Sequence, residues 1–286
     1  TTIMTTPQEL VACIEKLASL PAVYYRIRDL LNDPDSSVQE LADAVSSDPA
    51  ITARVLGVVN SVLYGFAGKI DTVGRAVNLM GMQQVHDLVL STAVIGAFAG
   101  IQPTRLNMTR FWQECVFRGL AARTAARQLG LGDPERMFVE GLLADIGHLV
   151  MFQADPDNAE MARDTAIRKG IPLHEAEADI VGCNYAEVGA ALAGAWHLPS
   201  SFATAIGAQL MPALGGPHVT EAALLHLANL ILATDKIVEA DEAVLERMDP
   251  MSAAVLEMNT ERIAAIRARV HEDKATVIAL FFPAYA

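Results

Sequence analysis

The sequence predicts an all-α fold, on three observations. Apolar residues recur at three- and four-residue intervals almost from end to end, the spacing that gathers them on one face of a helix. No run alternates polar and apolar residues as a half-buried strand would. Helix-start signals are frequent: at Asp48-Pro49, Asp133-Pro134 and Asp249-Pro250 a proline stands where its missing N–H costs nothing, behind a carboxylate able to accept an orphan backbone N–H.

Taken in order, the apolar spacing predicts helices near residues 8–18 and, from Leu20-Pro21 onward, 21–32. Ser37-Val38-Gln39-Glu40 fits a capping box, in which serine and glutamate each satisfy the other's backbone donor, ahead of the apolar face Leu41, Ala44 and Val45. It opens a helix over 37–46. Asp48-Pro49 opens the next, 49–60, and Asn60, Ser61, Tyr64 and Gly65 then read as a helix cap and a tight turn. Helices at 72–80 and 82–98 follow. Gly100-Ile101-Gln102-Pro103-Thr104 holds two helix breakers and marks a subdomain junction. Beyond it lie helices at 108–130 and at 134–153, the latter opened by Asp133-Pro134, then 157–169, 172–181, 185–196 and 199–209. Gly215-Gly216-Pro217 is the second clear break. Helices at 219–235, 241–248 and 260–282 complete the chain, with Asp249-Pro250 a further start between the last two. The breaks divide the chain into a helical subdomain over 1–100, a second over 101–214 and a C-terminal extension over 215–286. In the extension Ile263, Ile266, Val270, Val277 and Leu280 form one apolar stripe, expected to pack on the protein's own core.

With 286 residues, 52% of them hydrophobic, the chain is able to bury one large or two modest cores. Thirty-four acidic against twenty-one basic side chains give a net charge of −13, which repels phosphate backbones and anionic lipid. No nucleic-acid partner is expected, and Arg118, Arg123 and Arg127 do not share one helical stripe that would override this. The longest uncharged apolar stretch, residues 88–101, falls short of the roughly 20 residues that cross a bilayer, so no membrane span is expected. No basic residue precedes Lys16 and no targeting signal is readable, which makes the cytoplasm the expected location. Cys13, Cys115 and Cys183 are far apart, show no Cys-x-x-Cys spacing, and are expected to be buried free thiols.

Residues 141–150 read Gly-Leu-Leu-Ala-Asp-Ile-Gly-His-Leu-Val. Upstream stand Leu20-Pro21, Ser47-Asp48-Pro49-Ala50-Ile51, Val59-Asn60-Ser61-Val62-Leu63-Tyr64-Gly65, Ile70-Asp71-Thr72-Val73 and Ala76-Val77-Asn78-Leu79-Met80-Gly81; Phe111-Trp112 and the run from Gly189-Ala190-Ala191-Leu192 through Trp196-His197-Leu198-Pro199 add to the pattern. Together they resemble the HD-related output domain, HDOD, over residues 20–212. The resemblance implies a multi-helical fold in which an N-terminal helical subdomain packs on a degenerate HD-like one, and a non-catalytic bacterial signalling role. The HD phosphohydrolases related to this family carry His-Asp where this chain has Ala144-Asp145.

A working HD enzyme needs several histidines and aspartates converging on cations, because the metal polarises phosphate and supplies hydroxide at neutral pH. The resemblance places those ligand positions at Glu114, Ala144, Asp145, Tyr185, Ala208, Gln209 and Asn229, and of these only Asp145 is retained. The expectation is no catalytic residue, no metal and no cofactor, with these positions forming a vestigial pocket. A carboxylate in a buried helix needs a compensating partner; Tyr185, Gln209, Asn229 and an arginine are expected to provide one. His148, one turn from Asp145, is expected to pair locally rather than ligate, and His226 to be a satisfied core histidine. The oxygen donors Glu114, Asp145, Gln209 and Asn229 leave magnesium or calcium as an alternative. No Gly-x-Ser-x-Gly elbow, activated cysteine or phosphate-binding glycine loop is present. These readings lead to a protein that works through a protein partner supplied by another chain, with a homo-oligomer left open; a nucleotide-type small-ligand sensor and a residual metal-dependent phosphohydrolase are the alternatives.

Overall fold

A computed structural model describes residues 5–15 and 18–285, and among the described residues every regular element is a helix. Contacts gather the chain into two compact units: Thr1–Ala18 with Ile101–Val270, and Ser19–Gly100 with His271–Ala286. These units cut the chain differently from the three contiguous segments the sequence suggests, because the first helix joins the larger unit and the C-terminal extension is shared between the two.

The first helix, α1 (Pro7–Glu15), belongs to the larger unit. The end of the helix expected at 8–18 includes residues 16–17, which lie outside the described residues. Cys13 on α1 is exposed, whereas Cys115 and Cys183 are buried as expected. The apolar face of α1 is Leu10, Val11 and Ile14, and position 13 falls on the other side.

The smaller unit holds α2 (Ala22–Asn32), α3 (Val38–Ser46), α4 (Pro49–Val59), α5 (Val73–Met80) and α6 (Met82–Phe98). Helix α6 is buried on all sides from Val85 to Ile95, so the other four pack around it. The capping box forms, with the Ser37 hydroxyl accepting from Glu40 N at 3.2 Å and Ser37 N donating to the Glu40 carboxylate at 2.8 Å. One Asp48 oxygen accepts from Ala50 N and Ile51 N and starts α4. The turn after α4 is locked by Asn60, which donates to Leu56 O and Ile70 O and accepts from Ile70 N at 2.7 Å.

The larger unit continues with α7 (Met108–Leu129), α8 (Pro134–Leu143), α9 (Ile146–Ala154), α10 (Pro156–Lys169), α11 (Leu173–Ile180), α12 (Tyr185–Ala195) and α13 (Ser200–Ala208). A 3₁₀ turn at Pro212–His218 absorbs the Gly215-Gly216-Pro217 break, then come α14 (Val219–Ala233), α15 (Ala240–Arg247), α16 (Pro250–Leu256) and α17 (Thr260–Phe281), whose residues from His271 on belong to the smaller unit. The Asp249-Pro250 signal thus opens a short helix of its own. Long α7 packs against both α8 and α14. A Cβ on Gly141 would lie 2.8 Å from Arg118 O, so only glycine lets the α7 and α8 backbones approach this closely. Ile263, Ile266, Val270 and Val277 of the α17 stripe are buried; Leu280 is half-buried, and Ile278 and Phe281 are buried instead.

The single helix expected over 134–153 is two helices, broken at Ala144-Asp145. Asp145 has φ −103° and ψ 6°, and backbone bonds there span three residues rather than four (Ala144 N to Gly141 O, His148 N to Asp145 O). The Ala144 carbonyl instead accepts from the Gln209 amide at 2.8 Å. By length and composition the segment Pro134–Ala154, rather than residues 88–101, is the one apolar enough to cross a membrane among the described residues; it is interrupted at this break, and 83% of its most apolar stretch is buried inside the protein.

Candidate functional site

The site is built where the α8–α9 break faces α7, α11, α12, α13 and α14, all within the larger unit. Arg110, Glu114 and Arg118 recur at four-residue intervals on α7 and so share one stripe. A Cβ on Gly147 would fall 1.9 Å from Tyr185 O, so glycine there brings the start of α9 against the start of α12. This close approach stacks the His148 and Tyr185 rings, 4.2 Å between centroids and 16° between planes.

His148 lies between two carboxylates, with Nδ1 2.6 Å from Asp145 Oδ1 and Nε2 2.7 Å from Glu177 Oε1. A neutral imidazole donates from one nitrogen only, so this geometry suits an imidazolium donating from both. Burial alone would lower its pKa; Asp145 and Glu177 outweigh that and push it up to about 10. The second Glu177 oxygen accepts from Tyr185 N at 3.0 Å. Asp145 is 5% exposed, and its other oxygen lies 3.3 Å from Arg118 Nη2. Burial would raise the Asp145 pKa, yet the cations Arg118 and His148 hold it below the ordinary carboxylate value.

The network closes on itself. Arg118 Nε donates to Asn229 Oδ1 at 2.9 Å, Asn229 Nδ2 to Gln209 Oε1 at 2.9 Å, and Gln209 Nε2 to both Ala144 O and Ile206 O at 2.8 Å. His226 stands just behind, bonded through Nδ1 to Gln209 O and accepting from Asp249 N at Nε2. Burial lowers its pKa and the pairing defines a neutral core histidine. Beside the network a cleft of about 440 Å³ opens, lined by Arg110, Arg118, His148, His174, Tyr185 and Lys236 among others. Its rim is held by Arg267 of α17, which bonds Ile231 O, Thr234, Asp235 and Asp241. No three His, Cys, Asp or Glu side chains among the described residues converge as a metal-binding set.

The HDOD domain sequence profile matches residues 17–212. The chain belongs to the HDOD domain family. Among solved structures it is similar to an HDOD domain protein of unknown function from Geobacter sulfurreducens, with TM-score 0.76 and 24% identity over 96% of this chain and 98% of that one. It is also similar to a candidate phosphohydrolase from Shewanella amazonensis SB2B (TM-score 0.67, 26% identity, 91% and 97% covered). A candidate signal transduction protein from Marinobacter aquaeolei VT8 shares the fold (TM-score 0.70, 24% identity, 98% and 61% covered). An uncharacterized protein of Treponema pallidum is 26% identical over 190 residues, 65% of this chain, and the match spans 36% of that relative's length.

The HDOD fold brings the expected pocket positions together unevenly. Asp145, Gln209 and Asn229 lie on the network, and Ala144 contributes only its carbonyl. Tyr185 touches it through its ring and its backbone N–H. Glu114 is on the cleft wall in an ion pair with Arg110 at 2.7 Å, and Ala208 is buried without a polar role. The direct partners of Asp145 are Arg118 and His148; Asn229, Gln209 and Tyr185 reach it only through them. Glu177 is the residue that sequence reasoning missed, since it meets His148 across 29 residues of chain with no local spacing to announce it. Arg118 was open to detection, because it continues the α7 stripe one turn beyond Glu114. The basic patch considered for Arg118, Arg123 and Arg127 does not form: the first joins the network, and the other two pair with Glu135.

Proposed function

We propose that this HDOD protein is a non-catalytic signalling module that acts by binding another protein. The observation that carries this reading is the placement of two protein cations, Arg118 and His148, on the two oxygens of Asp145. They stand where an HD enzyme needs its carboxylate to meet a metal. A resident metal does not fit these residues: Ala144 offers a methyl group, the Gln209 amide N–H is committed to two carbonyls, and a cation entering at Asp145 would face a guanidinium and an imidazolium. The family membership and a relative described as a signal transduction protein agree with a role in signalling.

Two measurements test this. Metal analysis and phosphodiester turnover on purified wild type and Asp145→Ala should give no stoichiometric metal and no activity; metal that disappears with Asp145→Ala would restore the phosphohydrolase reading. Affinity capture from the native cell should then yield a protein that binds saturably when re-purified, and none under several growth conditions would overturn the partner-binding role. A second reading, a small-ligand sensor, is favoured by one observation: the cleft beside the network is open and polar rather than collapsed.

A further inference from the structure

The polar groups lining the cleft divide into two classes. Every carboxylate on its walls is already matched by a cation: Glu114 by Arg110 at 2.7 Å, Asp145 by Arg118 and His148, and Asp235 by Arg267 at 3.2 Å. Asn229 spends its oxygen on Arg118 and its amide N–H on Gln209. Each group left over can donate a hydrogen bond, and two of them, on Arg118 and Lys236, can only donate. Arg118 Nη1 is a buried donor with no acceptor. Lys236, exposed, and His174, half-buried, both line the cleft and make no ion pair or hydrogen bond with the described residues, and the Tyr185 hydroxyl also lacks an acceptor. Leu173, Leu232 and Ala233 supply an apolar wall alongside. A site with matched acids and spare donors asks for a ligand that brings acceptor oxygens and negative charge.

We propose that this cleft binds a small phosphate monoester, its phosphate oxygens received by Lys236, His174 and Arg118 and its apolar or planar body against Leu173 and Leu232. Three donors from different parts of the wall favour the three terminal oxygens of a phosphate over the two of a carboxylate. The volume of about 440 Å³ admits a ligand of mononucleotide size. The inference rests on the ligand-sensing reading and gives that reading its chemical class.

The probes are adenosine 5′-monophosphate, adenosine, inorganic phosphate and acetate, titrated into the EDTA-treated full chain by calorimetry at low ionic strength. The monophosphate should bind saturably without added metal, adenosine about tenfold or more weaker, and inorganic phosphate should compete while acetate should not. Lys236 is an exposed turn residue, so Lys236→Glu should fold normally and weaken the monophosphate about tenfold, with Lys236→Arg retaining it. Absence of saturable binding by the monophosphate and by phosphate would overturn the proposal, as would binding untouched by Lys236→Glu. Equal affinity for adenosine and its monophosphate would sink the oxyanion assignment while leaving ligand sensing in place. None of these outcomes bears on the protein-partner role, which the capture experiment decides.

Discussion

Two buried imidazole–carboxylate pairs, one in each compact unit, are built in opposite ways. In the smaller unit His86 Nδ1 meets Asp87 Oδ1 at 2.9 Å, and Gln83, one turn back on the same helix, donates to that oxygen at 2.8 Å. The pair is made by sequence neighbours on α6. His86 Nε2 meets no acceptor, and the Tyr24 hydroxyl, whose ring centroid is 5.6 Å from that of His86, also lacks one. In the larger unit every nitrogen and carboxylate oxygen of the Asp145–His148–Glu177 group has a partner, drawn from α7, α9, α11, α12 and the α8–α9 break. The first pair joins two neighbours in sequence on one helix. The second is a charge-balanced joint between helices that are remote in sequence. On the proposed reading, this joint stands where an HD enzyme holds its metal and supplies positive charge there.

The contrast is broken or sharpened by four measurements. The largest effect is expected from Asp145→Ala, which strands Arg118 and His148 without their shared anion; a loss of ~3–5 kcal/mol in denaturant unfolding is expected for one partner removed from a buried pair. A loss under ~1 kcal/mol would reduce the joint to the worth of a surface ion pair.

Next in size is the response to pH. The folded His148 pKa is raised from its ordinary 6.5 to about 10, so its stabilisation is complete below pH 6.5 and is lost as pH rises through about 10. Asp145 acts in the opposite sense. Its folded pKa lies below the ordinary 3.8, so its contribution is present above that value and is lost as pH falls through the folded one. Melting temperature should therefore fall between pH 6.5 and 10 in wild type, and His148→Gln should flatten that slope. An unchanged slope would remove His148 from the joint.

Glu177→Gln retains an acceptor for Tyr185 N but takes a charge from His148. It should cost ~1.5–3 kcal/mol, the worth of a hydrogen bond to a charged group, and draw the His148 pKa back toward its ordinary value. The smallest effect is expected from His86→Leu in the local pair: ~1 kcal/mol, because Asp87 keeps Gln83 and a buried nitrogen without an acceptor is removed. A larger cost for His86→Leu than for Asp145→Ala would invert the comparison.

The fold was legible in the sequence wherever the signal is local. Ser37 with Glu40, Asp48-Pro49 and Asp133-Pro134 each start a helix as read, because a cap is a contact within four residues. The break at Ala144-Asp145 was hidden because its cause is the Gln209 amide, 65 residues away, competing for a helix carbonyl. The same distinction governs the site. Motif positions identified Asp145, Gln209 and Asn229, whereas Glu177 became visible only when α11 was seen beside α9. His148 combines a local contact with a remote one. Its i, i+3 spacing predicts the contact with Asp145, while its second carboxylate, and with it the charge it carries, comes from tertiary structure.

On the proposed reading, Arg118 and His148 supply the positive charge that a metal brings to an HD site. Nitrogen-15 NMR of the His148 imidazole, followed against pH with and without added Mn²⁺, tests it most directly. The ring should stay doubly protonated through pH 8, with signals that Mn²⁺ does not broaden. A ring that titrates near 6.5, or one broadened by Mn²⁺ in wild type and not in Asp145→Ala, would contradict it.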